Sequence, residues 1–321
     1  MNAPVTAARA KFSDPDVTAK GEQRATVPFD RLETLWINTG TLCNITCGNC
    51  YIESSPTNDR LAYITAAEVA PYLVEARAAQ TREIGFTGGE PFMNPEFVAM
   101  LEAALAAGFD VLVLTNAMQP MQRRHIQGEL LKLKGTFGDK LTLRVSLDHH
   151  TKALHETERG ANTWDRAIAG MDWLDANGFR MTIAGRTCWG EDEVQARVGY
   201  ERLIAEHGWR VNARDRNQLI LFPEMSPVAD VPEITTACWG LLGKNPSEVM
   251  CSSSRMVVKR KGAGHAVVLP CTLLPYDIAF EMGATLEEAA AADGGMFADG
   301  AVKLCHPYCA KFCVLGGGSC S

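Results

Sequence analysis

The sequence predicts an α/β protein, a partial (β/α)6 TIM-like barrel followed by a small cysteine-rich domain. Three observations carry this. Short apolar, β-branched runs alternate with longer helix-like runs six times between residues 33 and 225. Residue types with chemistry to offer recur at the C-terminal ends of the short runs. Past residue 225 the alternation stops, and seven of the 11 cysteines concentrate there.

The first strand is expected over residues 33–39 and runs into a loop with three cysteines. Residues 65–79 read as a helix with Pro71 as a kink. Residues 83–87 form the second strand, and Asn94-Pro95 opens a helix that stops at Gly108. The third strand is 110–115, followed by one helix over 119–134, and the fourth strand is 141–147. A helix over 163–176 takes Asn162 as its N-cap and Gly178 as its stop. The fifth strand (180–185), a helix (191–207) and the sixth strand (217–222) complete the series. Right-handed β-α crossovers make such a sheet parallel, and functional groups then gather at the C-terminal strand ends. Beyond it, 255–270 reads as a hairpin and 285–292 as a short helix. The expected organisation is a mobile tail (1–30), a barrel (31–225) and a cysteine-rich domain (226–321).

Composition narrows the classes. The net charge of −7 argues against a nucleic-acid partner, and Lys259-Arg260-Lys261 before Gly262 reads as a solvated hairpin turn. No run of 18 apolar residues exists, so no membrane partner is expected. The N-terminus lacks the apolar core of a secretion signal, and the cysteines then read as metal ligands in a cytoplasmic setting.

The most informative run is Thr41-Leu42-Cys43-Asn44-Ile45-Thr46-Cys47-Gly48-Asn49-Cys50-Tyr51. Three thiolates at C-x3-C-x2-C suit an iron–sulfur cluster, with one iron of a cubane left open for a further ligand. The alternative is three ordinary thiols. About 40 residues on, Phe86-Thr87-Gly88-Gly89-Glu90-Pro91 reads as a strand ending in a turn where two glycines admit close approach and a carboxylate can face an ammonium group. Together these motifs resemble the radical S-adenosylmethionine (radical SAM) family.

That resemblance implies Cys43, Cys47 and Cys50 as catalytic cluster ligands, with S-adenosylmethionine on the open iron of a 4Fe–4S cluster. It implies cofactor contacts from Gly88, Gly89 and Glu90, from Asn116, Ser146 and Asp148 at strand ends, and from Leu221 beside the adenine. His155-Glu156-Thr157-Glu158-Arg159-Gly160 is similar to a His-Asp-x-x-Arg-Gly run of the family, which makes Arg159 the partner of the methionine carboxylate. Asn49 stands where an aromatic residue is usual, and Tyr51 is placed to compensate; His149 replaces a usual glycine. His149 and His150 read as exposed loop residues more than as catalysts.

The C-terminal third resembles SPASM and twitch extensions, which implies at least one auxiliary 4Fe–4S cluster drawing ligands from Cys251, Cys271, Cys305, Cys309, Cys313 and Cys320. Structural zinc is the competing use, but paired C-x2-C knuckles are absent. The expected activity is reductive cleavage of S-adenosylmethionine to a 5′-deoxyadenosyl radical that takes a hydrogen atom from a small-molecule or peptide substrate, as an oxidoreductase or transferase. Maturation of a ribosomally made peptide is one form of this. The roughly 30 residues ahead of the first strand leave no room for a peptide-binding domain there, which favours a small molecule or a peptide delivered by another protein. A flavodoxin or ferredoxin is the implied electron donor. A non-catalytic iron–sulfur redox sensor and a methyltransferase variant with Cys188 as acceptor are the other readings.

Overall fold

The structure, a computed structural model, describes residues 9–223 and 230–316. Its strands are β1 (Thr26–Val27), β2 (Thr34–Asn38), β3 (Glu83–Thr87), β4 (Asp110–Thr115), β5 (Leu141–Ser146), β6 (Arg180–Arg186), β7 (Leu219–Phe222), β8 (Ser254–Val258), β9 (Val267–Leu269), β10 (Phe297–Ala298) and β11 (Ala301–Lys303). Among the described residues, β2 to β9 form one eight-stranded sheet in the order β7-β6-β5-β4-β3-β2-β8-β9. All pairings are parallel except β8 with β9. The order follows the chain from β2 to β7, as successive crossovers of one hand require, and the result is an open partial barrel.

Local chemistry explains the helices. Thr65 and Glu68 make a capping box at the start of Ala66–Ala78, and Asp192 and Gln195 do the same for Glu193–His207. Gly208 ends the latter in the left-handed conformation. The helix expected over 119–134 is two helices, Gln119–Gln122 and Arg124–Phe137, because Arg123 adopts an extended backbone (φ −60°, ψ 132°). Asn162 is not the N-cap of Trp164–Ala176: it sits at φ +63°, and Thr163 takes the cap position without a side-chain bond. Lys152–Arg159 is a helix the sequence reading did not anticipate.

The N-terminal segment differs from the expected mobile tail. From residue 9 onward it packs on the C-terminal third. Arg24 is buried and pairs with Glu233 at 2.6 Å, and Glu233 also accepts from the Phe12 and Ala19 amides at 2.8 and 2.7 Å. Strand β1 pairs with β11. These bonds run through backbone groups and one buried ion pair, which leave no hydrophobic period in the sequence.

The C-terminal third is likewise built into the barrel, since β8 pairs in parallel with β2 and extends its sheet. No helix among the described residues is long and apolar enough to cross a membrane.

Candidate functional site

A cleft of about 1070 Å³, including space open to solvent, lies at the C-terminal strand ends. Cys43, Cys47, Cys50 and Tyr51 line one side. Gly88, Gly89, Thr115, Asn116, Ser146, Asp148, Arg159 and Arg186 line the rest, with Phe222, Leu273 and Phe312 adding apolar surface.

The cysteine loop is held from both ends. The Cys43 amide donates to Ser55 O at 3.0 Å and the Gly48 amide to Glu158 O at 2.7 Å. The Ser54 amide lies 3.3 Å from Cys50 Sγ, and Asn116 Nδ2 lies 3.9 Å from Cys43 Sγ. Burial, then Glu90, pushes the Cys43 thiol up to about 12; burial also raises Cys47, against the pull of Arg159. Such buried thiols stay protonated at neutral pH unless a metal takes the proton's place. Three converging thiols with amide donors at sulfur, beside an open cleft, fit a cubane with one free iron.

The two glycines are sterically required. A Cβ on Gly89 would lie 2.2 Å from Leu42 O, and one on Gly88 (φ +148°) 2.6 Å from Gly40 O. The turn is therefore packed against the root of the cysteine loop, which fixes one motif relative to the other.

Glu90 departs from the expectation of facing an ammonium group. Its carboxylate is not part of the cleft lining; it is 1% exposed and accepts from Thr115 Oγ1 and the Asn116 amide, each at 2.8 Å. Burial raises it to about 7 against these bonds. It ties the end of β3 to the end of β4, and so positions Asn116, whose Nδ2 donates to Asn44 Oδ1 at 2.9 Å.

The Arg159 guanidinium is likewise already engaged. It grips Asp148 in a fork at 2.9 and 3.0 Å. Burial favours protonation of Asp148, but Arg159 and Arg186 outweigh it and hold the carboxyl below its ordinary value. Arg186, which the sequence reading missed, is the third member: Nε lies 3.5 Å from Asp148, Nη2 donates to Asn49 O at 3.0 Å, and Nη1 is buried with no protein partner. Two cations against one anion leave a positive balance facing the cleft. The position of Arg186 at a strand end, Gly185-Arg186, was the available signal.

Phe222 lines the cleft, and Leu221, expected there, does not. In register, Ala184 pairs with Ile220, Gly185 with Leu221 and Arg186 with Phe222. Arg186 and Phe222 line the cleft, whereas Leu221 packs over Gly185, where an added Cβ would meet its Cδ2 at 2.9 Å. The strand's period of two decides between neighbours.

His149 is 3% exposed rather than an open loop residue: Nδ1 accepts from the Thr151 amide at 2.9 Å and Nε2 meets Glu191. Neither histidine lines the cleft, nor does the half-buried Cys188.

A second, smaller cavity is lined by Cys251, Cys271, Cys309 and Cys313 among apolar residues, and Leu273 borders both cavities. Cys309 and Cys313 stand four apart in a π-helical turn, Cys309–Leu315. Burial raises the Cys251 thiol to about 11 and Cys309 well above the usual thiol range, with Cys271 and Cys251 adding to the latter. Four thiols lining one small, largely apolar cavity fit a fully ligated cluster. Cys305, expected with them, is not in this lining; its Sγ lies 3.4 Å from Phe12 O and from Asp14 O. Cys320 lies outside the described residues.

Residues 37–190 match the model of the Radical SAM superfamily, and the chain carries a radical SAM domain. Antilisterial bacteriocin subtilosin biosynthesis protein AlbA of Bacillus subtilis (strain 168) is 31% identical over 118 residues, which are 37% of this chain and 25% of that protein. Mycofactocin maturase MftC of Mycobacterium tuberculosis (strain CDC 1551 / Oshkosh) is 27% identical over 138 residues, 43% of this chain and 33% of that one. These matches span a quarter to a third of the curated relatives' own length. Streptococcus suis SuiB bound to S-adenosylmethionine shares the fold with a TM-score of 0.59 at 13% identity, over 82% of this chain and 66% of that one. SuiB bound to precursor peptide SuiA gives 0.57 at 14% identity, over 82% and 65%. A radical SAM domain implies a 4Fe–4S cluster and S-adenosylmethionine, which the three thiols of the cleft fit, and the C-terminal thiol group suits an auxiliary cluster.

Proposed function

We propose that the chain is a radical SAM maturase that modifies a ribosomally made peptide. The observation that carries the catalytic part is that three thiols, the Gly88-Gly89 turn and the Asp148–Arg159–Arg186 group line a single cleft. Cys43, Cys47 and Cys50 would hold a 4Fe–4S cluster, which when bound would supply the electron for reductive cleavage of S-adenosylmethionine to methionine and a 5′-deoxyadenosyl radical, the species that would take a hydrogen atom from the substrate. Arg159 and Arg186, which both line the cleft, bind the methionine carboxylate in a charge-assisted contact. Asn116 and Ser146 orient polar groups of the nucleoside, and Phe222 and Tyr51 cover its base and exclude water. Asp148 holds both arginines in place, and Glu90 acts as a clamp rather than an ammonium ligand.

The peptide substrate is supported by the relatives: a bacteriocin biosynthesis protein, a mycofactocin maturase, and a neighbour of shared fold seen with a precursor peptide. Cys251, Cys271, Cys309 and Cys313 are the proposed auxiliary ligands, and Leu273 borders both their cavity and the cleft. The radical SAM module is proposed to run from 31 to 225 and the auxiliary module from 226 to 321, with β8 and β9 of the second completing the sheet of the first. A flavodoxin or ferredoxin donor and a cytoplasmic setting belong to the same reading.

The test is anaerobic reconstitution, then S-adenosylmethionine and dithionite, with and without peptides encoded beside the gene. About eight irons per chain, 5′-deoxyadenosine, and a mass change on one peptide are expected. Clusters without 5′-deoxyadenosine under any condition would leave a redox sensor. Turnover of a small molecule with all peptides inert would remove the peptide assignment.

A further inference from the structure

Arg255 opens the second residue of β8, four residues after Cys251. Its side chain is interior, with the residue 1% exposed. Nη1 donates to Cys251 O and Ser254 O at 2.7 and 2.8 Å, and Nη2 to Gly300 O at 3.1 Å. The guanidinium lies 3.9 Å from the centroid of the Phe29 ring, and Nε has no partner. Its partners are carbonyls and an aromatic face, and the titratable groups that act on its charge are Cys251 and Cys271. The contrast with Arg24 is direct: that guanidinium is equally buried but has the Glu233 carboxylate at 2.6 Å.

A guanidinium does not shed its proton to escape burial, so an interior arginine needs a counter-charge. Neutral thiols supply none. Four thiolates holding an iron–sulfur cluster do: the assembly is net negative and gains one further unit of negative charge on reduction. Net charge and neighbouring groups set the potential of such a cluster.

We propose that Arg255 is the fixed counter-charge of the auxiliary cluster, favouring its assembly and raising its reduction potential. This rests on the auxiliary-cluster reading given above. A cation beside the ligand set stabilises the reduced, more negative form more than the oxidised form.

The test uses the full chain carrying Cys47→Ala, so that iron reports on the C-terminal thiols alone. Arg255→Gln, which keeps hydrogen-bond donors and removes the charge, and Arg255→Lys, which keeps the charge, are reconstituted anaerobically. Iron and sulfide are counted, and the cluster is titrated potentiometrically by EPR. The expected result for Gln is loss of more than half of the iron, or a retained cluster whose redox equilibrium is displaced at least ten-fold toward the oxidised form, about 59 mV for one electron. Lys should stay within two-fold of the parent in both readouts. Parental iron and potential in Arg255→Gln would overturn the proposal. So would an equal loss of iron in Gln and Lys, the mark of a carbonyl clamp without an electrostatic role. Because Arg255→Gln can unfold the hairpin, Arg255→Lys decides by itself: loss of its cluster sinks the idea. A Cys47→Ala parent with no iron at all would instead overturn the auxiliary-cluster reading beneath it.

Discussion

The two thiol groups of this chain are built on opposite plans. Cys43, Cys47 and Cys50 come from one short loop, number three, and face a polar cleft beside two arginines and an aspartate. Cys251, Cys271, Cys309 and Cys313 come from segments up to 62 residues apart, number four, and face a small cavity otherwise lined by apolar side chains and Tyr308. Three ligands with open space leave a coordination position for a reactant; four ligands in a closed apolar space leave none. On the proposed reading, the same element of chemistry is set for reaction in one place and for electron storage or structural support in the other. What differs is ligand count and lining, the features that generally separate open catalytic centres from closed structural ones.

The most drastic way to break the comparison is to remove a thiol from each side. Cys47→Ala should abolish 5′-deoxyadenosine formation outright. Cys271→Ala or Cys309→Ala should leave 5′-deoxyadenosine forming while product from substrate falls, measured by chromatography of both. If the Cys271 and Cys309 variants keep full product turnover, the second group has no part in the reaction.

A smaller effect is expected where the two motifs of the cleft meet. Gly89→Ala forces its Cβ to within 2.2 Å of Leu42 O unless the loop moves. Overpacking of this kind costs about 1–3 kcal/mol, and iron bound at the cysteine loop should fall with it while the C-terminal thiols still load. Iron counts in a background lacking Cys271 isolate the effect.

Next comes the arginine pair. Arg186→Gln should weaken S-adenosylmethionine binding roughly 10- to 100-fold, the range for a charge-assisted hydrogen bond of about 1.5–3 kcal/mol. Arg159→Lys should have a comparable effect by losing the fork on Asp148. Isothermal titration on the loaded protein reads both, and unchanged affinity in Arg186→Gln would remove that residue from the carboxylate site.

The mildest prediction concerns pH. Burial raises Glu90 from 4.5 to about 7 in the cluster-free fold, so the folded chain binds a proton there more tightly than the unfolded chain does. The protonated form is the favoured one, and stability therefore falls as pH rises from about 4.5 through 7, by at most roughly 3 kcal/mol. Thermal melts of the cluster-free protein between pH 5 and 8 should show this slope, and Glu90→Gln should flatten it.

Much of the barrel was legible because its strands are apolar runs bounded by glycine and polar turns. The cysteine loop and the Gly88-Gly89 turn were legible because both are contiguous. What the sequence concealed depended on direction or distance. Leu221 and Phe222 are adjacent, apolar and equally plausible in the sequence, and only the register with β6 sends Phe222 into the cleft. The Glu90 carboxylate turns to Thr115 and the Asn116 amide instead of to the cleft, whereas Arg159 lines the cleft while gripping Asp148. Cys305 looked equivalent to Cys309 and Cys313 until the fold directed it to the N-terminal segment.

By itself, then, the sequence determined the class of fold and the loop that carries three thiols at cluster spacing, because strand periodicity and cysteine spacing are local properties that survive in one dimension. The tertiary structure decided which thiols share the second cavity, that Arg186 joins Arg159 at Asp148, and that Arg255 lies buried beside Cys251 without a carboxylate. Those facts depend on which side of a strand faces inward and on which distant segments the open sheet brings together, and neither is written in the spacing of residues along the chain.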